Sequence, residues 1–303
     1  MKLGGLFCWM TLLACAGLTG LALAQEPGAD QVRTRKLWDD TFLKQREEAS
    51  KAPAPAPVKA GPGKSAPAAK TDLKAGPQQS SMVGVTLWRL RPSKPSDPTS
   101  VRALVHEDSG RNLEYTPERV TSDTPLAVGE RVRISVESAQ PGFLYIIDRE
   151  EYADGSKGAP MLIFPTTRTR GGDNRVSAGK PVEVPASNDD PSYFKMTRDR
   201  PNQTSETLLM LITPEKIPGV SIGAKEQPLT AEQVSSWEKA AAASAVKLEA
   251  KDQAGKAYTP AEREAAIGTR ALRHEDPVAQ TMFQIDSKPG DMILVRFPLN
   301  IAR

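Results

Sequence analysis

Three arginines around a glycine pair form the most distinctive polar stretch of this chain, Arg168-Thr-Arg170-Gly-Gly-Asp-Asn-Arg175. A guanidinium is a rigid fork of N–H donors. Arg168, Arg170 and Arg175 gathered at one turn would therefore suit a carboxylate, a phosphate or an anionic partner. The run lacks the Gly-x4-Gly-Lys-Ser/Thr spacing of a phosphate loop, and a solvated hairpin loop has the same composition. Acidic residues make the other polar concentration. Asp148-Arg-Glu-Glu-Tyr-Ala-Asp154-Gly155 places hard oxygen ligands beside a glycine turn, as calcium requires, and Asp189-Asp190 is a second pair that a fold could bring near. The spacing is not that of an EF-hand loop, so no metal site is assigned.

Catalytic signatures are sparse. The two histidines, His106 and His274, sit in Val-His-Glu-Asp and Arg-His-Glu-Asp, and there is no Gly-x-Ser-x-Gly elbow. Both cysteines, Cys8 and Cys15, fall in the first 24 residues, which leaves no thiolate for a zinc site beyond them. Paired carboxylates for glycoside hydrolysis need a fixed separation across a cleft, and no motif here supports one. No catalytic residue, cofactor or metal ligand is assigned.

The elements that must position these groups are strands. Val83, Val85 and Leu87 alternate with Thr86 and Trp88, and Val132, Ile134 and Val136 alternate with Arg131, Arg133 and Ser135, the pattern of half-buried strands. Phe143 to Ile147, Met161 to Phe164 and Leu208 to Ile212 are apolar on both faces, as central strands between layers are. Asp154-Gly155 predicts a hairpin over 143–164. Trp88, Trp237 and Tyr145 read as core or seam residues rather than a sugar platform. Thr230-Ala-Glu-Gln233 and Thr259-Pro260-Ala-Glu262 are capping boxes. Val234, Trp237, Ala241, Ala245 and Leu248 continue the first at helical spacing, and the second helix is expected to end near Leu272. Thr281 to Ile285 and Met292 to Leu299 close the chain. About eight strands with this helical excursion predict a mainly β fold, an antiparallel β-sandwich with about two helices (230–272) before the last two strands (281–299).

The N-terminal part reads differently. Lys2, an apolar stretch from Leu3 to Leu23 and Ala22-Leu23-Ala24 before Gln25 form a secretory signal peptide over residues 1–24, cleaved between Ala24 and Gln25. The competing readings are an uncleaved anchor and a lipoprotein through Cys15 in Leu12-Leu13-Ala14-Cys15. Residues 25–50 hold a short amphipathic helical segment. Trp38 and Phe42, one turn apart, would share its face and dock either on this protein's own body or on a partner or membrane surface. Residues 51–81 are a Pro/Ala/Lys-rich linker, too poor in apolar groups to order itself. The β domain is expected over 82–303. The 40 basic and 37 acidic residues of the full 303-residue sequence, net +3, give no whole-chain reason to expect nucleic acid. No apolar run beyond the leader is long enough to cross a bilayer.

The run from Leu126-Ala-Val-Gly-Glu-Arg-Val-Arg through Pro-Gly-Phe-Leu-Tyr-Ile-Ile-Asp, Leu-Ile-Phe-Pro and Val-Glu-Val-Pro185 to Ser-Glu-Thr-Leu-Leu-Met-Leu-Ile-Thr-Pro resembles the bacterial domain-of-unknown-function family 4384 over residues 126–216. Phe143 stands where that family more often has Tyr. The resemblance implies an all-β accessory domain of bacterial proteins, and it carries no activity or site residue. The expectation is an exported, periplasmic or extracellular, non-catalytic interaction module that binds a protein or cell-envelope component. The alternative is an exported hydrolase of peptide or glycan, which a pocket gathering His106 or His274 with buried carboxylates would favour.

Overall fold

The computed structural model describes residues 80–106, 112–288 and 290–302, together with Phe42, Lys44 and Arg46. Among them fourteen strands run in chain order. The first seven are β1 (Ser80–Pro92), β2 (Ala103–His106), β3 (Asn112–Val120), β4 (Arg131–Ser138), β5 (Gly142–Tyr152), β6 (Met161–Phe164) and β7 (Arg175–Val176). Then come β8 (Pro181–Val184), β9 (Phe194–Lys195), β10 (Gln203–Thr213), β11 (Gln227–Pro228), β12 (Ala242–Glu249), β13 (Thr281–Asp286) and β14 (Ile293–Asn300). Two helices, α1 (Ala231–Ala240) and α2 (Pro260–Ala266), flank β12.

These strands make two sheets packed face to face, the expected sandwich. In the first, β1 pairs along one edge with β13 and then β3, and along the other with β4, which carries β8 and β9. In the second, β11, β6, β5, β10 and β14 lie side by side. β12 joins them: Ala242 and Ala243 pair in parallel with β14, and the rest of the strand pairs antiparallel with β13. Period-two alternation builds the core. Val83, Val85 and Leu87 of β1 with Val132, Ile134 and Val136 of β4 face Leu144 and Ile146 of β5, Leu208 and Met210 of β10, and Val295 and Phe297 of β14. Each such fully buried side chain contributes roughly 1.5–3 kcal/mol of transfer free energy.

The outer faces are covered too. Tyr145, Ile147, Leu209 and Leu211, on the other side of the second sheet, receive Val234 and Trp237 of α1, so the doubly apolar strands are central as expected. On the first sheet the outer face is polar and nevertheless buried, which corrects the half-exposed reading of β4. The chain from 250 to 280 lies over it. Arg133 is 1 % exposed, and Trp88 donates to Ser135 Oγ at 2.8 Å while stacking edge-on against Tyr258 at 4.8 Å. Arg119 lies over the Trp88 ring and pairs with Glu262 of α2. Phe42 and Arg46 complete this cover. Phe42 is fully buried with Met82 and Met282, and Arg46 clasps Glu137 through Nε and Nη2 at 2.9 and 2.8 Å. Trp38, Cys15 and the Ala24–Gln25 junction lie outside the described residues.

Both capping boxes form as the sequence predicts, with Thr230 accepting from the Gln233 amide and Thr259 from the Glu262 amide. The helical extents need correction. The first helix stops at Ala240. Ala241 turns extended and Ala242 donates to Met292 O, because an alanine run has no side-chain bulk to resist strand pairing and here meets two open strand edges. The second stops at Ala266, well short of Leu272. Gly268, at φ 79°, takes the left-handed turn that ends it.

Candidate functional site

Along β5 the core-facing positions run Leu144, Ile146, Asp148, Glu150, Tyr152, and along β10, in the opposite direction, Ile212, Met210, Leu208, Glu206. Register fixes the arrangement: Leu208 sits opposite Asp148, and Glu206 opposite Glu150 on one side and Leu299 on the other. Both rows thus turn from apolar to acidic at the same end of the sandwich. There the two layers enclose a cavity of roughly 650 Å³, lined by six carboxyl groups (Asp148, Glu150, Asp190, Asp199, Glu206, Glu226) and two guanidinium groups (Arg168, Arg200). Tyr152, Tyr193 and Phe194 supply its aromatic wall. A second chamber of about 130 Å³ lies deeper, against Val132, Ile134, Met196, Leu208 and Leu299. Asp148, Glu206, Ile163, Phe194 and Thr197 border both spaces.

The roof is the segment between β8 and β10, and the first sheet holds it. Arg133 donates to Ser192 O and, at 3.0 Å, to Ser192 Oγ. The Arg131 guanidinium lies between the rings of Tyr115 and Tyr193, at 5.2 and 5.1 Å. Asp189 fixes the neighbouring turns by accepting from the amides of Ala186 and Arg170. On the floor, Glu150 accepts from the Tyr152 hydroxyl, and Arg200 covers the Tyr152 ring at 4.8 Å. Gly158 packs onto Glu150 so closely that a Cβ there would lie 2.5 Å from its Oε2.

Crowding carboxyls in a partly dry space shifts their protonation. Burial first, then the neighbouring Asp148, Glu150 and Asp199, raise Glu206 to about 8; its one partner of note is the Gln203 amide at 3.3 Å. Asp148 rises to about 6, again mainly through burial, with Glu150 and Asp199 adding to it. Its Oδ1 is sealed from solvent and has no hydrogen-bond partner. Both carboxyls therefore hold their protons to higher pH than a solvated acid, Glu206 more so than Asp148.

The three arginines expected to act together do not share a site. Arg175 is spent on Asp173, which it grips at 2.8 and 3.0 Å on the exposed surface. Arg170 turns back to Asp173 O at 3.2 Å. Only Arg168 lines the cavity, where it donates to Asp190 O at 3.1 Å. The two acidic stretches do come together there, Asp148 and Glu150 from one and Asp190 from the other. Among the described residues no group of three or more Asp, Glu, His or Cys is disposed to hold a metal ion. His274 is exposed and does not line the cavity. Glu206 escaped the sequence reading altogether. Its signal was parity: it occupies a core-facing position in a row that is apolar from Leu208 onward. Comparison with protein-family models, with curated proteins and with solved structures finds no match to this chain.

Proposed function

We propose that this chain is an exported, non-catalytic β-sandwich module that binds a protein or cell-envelope component by taking one of its basic groups into the acidic cavity. The observation that carries this reading is the pair of core-facing rows that turn acidic together and open into a concave, aromatic-walled space with six carboxyls against two guanidinium groups. Unbalanced charge in a desolvated site costs free energy, and an entering cation offsets that cost. A lysine or arginine side chain suits the shape, with its charged head at Asp148 and Glu206 and its methylenes along Ile163 and Phe194. The signal-peptide reading of residues 1–24 supports export. The resemblance to an accessory-domain family is of the same kind. The test is calorimetric titration of the protein with hexalysine and, as control, hexaglutamate. Saturable binding of hexalysine only, weakened by salt and at least tenfold weaker in the Asp148→Asn/Glu206→Gln variant, is expected. No saturable binding, or equal affinity in the variant, would overturn the reading.

One observation favours a second reading. A carboxyl near 6 beside one near 8 is the division of labour of a general acid–base pair, which would suit an exported hydrolase of peptide or glycan. Turnover of such a substrate that vanishes in Glu206→Gln would establish it. Hexalysine binding without turnover on a peptide and glycan panel supports the first reading instead.

A further inference from the structure

The cavity is divided, and the division falls at two acids. Its outer space, roughly 650 Å³, carries six carboxyl and two guanidinium groups. The deeper chamber, about 130 Å³, is walled by Val132, Ile134, Phe194, Met196, Leu208 and Leu299. All of these but Phe194 are buried members of the main core. Lys195 and Thr197 also border the chamber, and both are exposed. Asp148 and Glu206 border both spaces, and Asp148 Oδ1 has no hydrogen-bond partner. The change from apolar to acidic takes one step along each strand, Ile146 to Asp148 on β5 and Leu208 to Glu206 on β10. Two residues of a strand span about 7 Å, a distance that one large side chain covers from its own backbone nitrogen. Apolar space close to the chamber's volume accepts a benzene-sized group.

The basic groups of a polypeptide differ in what lies beyond the charge. Lysine and arginine carry it at the far end of their methylenes, so with the charge at Asp148 and Glu206 no apolar part of the side chain extends into the deeper chamber. A free α-ammonium is different, because its carbon also bears the first side chain and the outgoing peptide. Those three branches correspond to the three parts of the site: the acids, the deeper chamber and the outer space. To the backbone that follows, the outer space offers donors at Arg168 and Arg200 and acceptors at Glu150 and Asp199.

Resting on the basic-group reading above, we propose that the cavity recognises the free N-terminus of a partner polypeptide whose first residue is large and apolar, such as leucine or phenylalanine. The ammonium sits between Asp148 and Glu206, the first side chain fills the deeper chamber, and the chain leaves through the outer space.

Calorimetric titration with four probes tests this: Phe-Gly-Gly-Gly-amide, its N-acetyl form, Gly-Gly-Gly-Gly-amide and 2-phenylethylamine. The free Phe-first peptide should bind saturably and at least about tenfold more tightly than the Gly-first one, since it buries a whole aromatic side chain. Acetylation should abolish binding. 2-Phenylethylamine, which has the ammonium and ring but no chain, should bind at least about tenfold more weakly than the peptide. Val132→Phe, which narrows the chamber and leaves both acids, should remove the preference for Phe over Gly at the first position. Equal affinity of Phe-first and Gly-first peptides, undiminished binding of the acetylated one, or an amine as tight as the peptide would each overturn the proposal. So would an unchanged preference in Val132→Phe, and where that variant fails to fold the wild-type comparison decides alone. Hexalysine separates this failure from that of the underlying reading: if it still binds, only the N-terminus assignment falls, and if it does not, both fall.

Discussion

Replacing Glu206 by glutamine should change how stability responds to pH more than how stable the protein is in acid. In the folded state Glu206 keeps its proton to about pH 8, whereas in the unfolded chain it ionises near 4.5. Between those values the folded state binds more protons, so stability falls as pH rises through the window. Below it both states are protonated and Glu206 contributes nothing. A displacement from 4.5 to about 8, at about 1.36 kcal/mol per pH unit, sets a ceiling of about 5 kcal/mol. Water at the cavity mouth and relaxation of the facing groups reduce this to about 2–3 kcal/mol. Glutamine keeps the shape and still accepts from the Gln203 amide, but has no charge to desolvate or to set against Asp148, Glu150 and Asp199. Urea unfolding at constant ionic strength from about pH 5 to about pH 9 should show nearly equal stabilities at the acid end. The variant should gain steadily above that, ending about 2–3 kcal/mol ahead. Asp148→Asn, which removes one of the charges raising Glu206, should move the wild-type decline to lower pH. Parallel curves for wild type and Glu206→Gln, or a wild type that is the more stable at the alkaline end, would refute the assignment of Glu206 to a desolvated, acid-crowded site.

Two further changes test the packing that supports the site. Glu262→Ala removes the carboxylate that both pairs with buried Arg119 and accepts from the Thr259 amide and hydroxyl at 3.0 and 2.7 Å. Urea unfolding should register a loss of about 3–5 kcal/mol and Glu262→Gln a smaller one, since the amide preserves the cap; a loss under about 1 kcal/mol would mean that the pair is not buried as described. Gly84→Ala would set a Cβ 2.6 Å from the Ala279 Cβ, and should cost about 1–3 kcal/mol by wedging β1 away from the covering chain. Ala279→Gly in the same molecule should recover most of that in a thermal melt, and failure to recover would place the strain elsewhere.

The architecture was legible because alternation is local. Val83, Val85 and Leu87, or Val132, Ile134 and Val136, announce a strand and its inner face without reference to anything distant. The capping boxes at Thr230 and Thr259 are local in the same sense. What failed was what neighbours decide. Ala241, Ala245 and Leu248 satisfy helical spacing as well as they satisfy a strand, and the available edges of β13 and β14 settled the matter. Gly268, by contrast, is a readable stop, because a glycine just past a helix supplies its left-handed turn.

The polar groups divide along the same line, with consequences for finding sites of this kind. Arg119, Arg133 and Glu137 alternate with apolar residues just as solvent-facing residues would, and only groups brought from elsewhere in the chain, among them residues 250 to 280, Ser192 and Arg46, make them interior. Local sequence does not distinguish these cases, because burial of an outer face depends on segments far along the chain. Asp148 and Glu206 are the opposite case. They violate, rather than imitate, the pattern of their strands: each takes a core-facing position beyond the last apolar residue of its row. An acid at a core-facing position must be paired, protonated or beside a cavity. Here adjacent strands break the pattern at neighbouring rungs, and the register brings both acids to one cavity. Arg168, Arg170 and Arg175 drew the eye by composition, yet a loop holds two of them on acceptors of its own. Parity within paired strands is therefore the stronger guide to this site than clustering of charge along the chain.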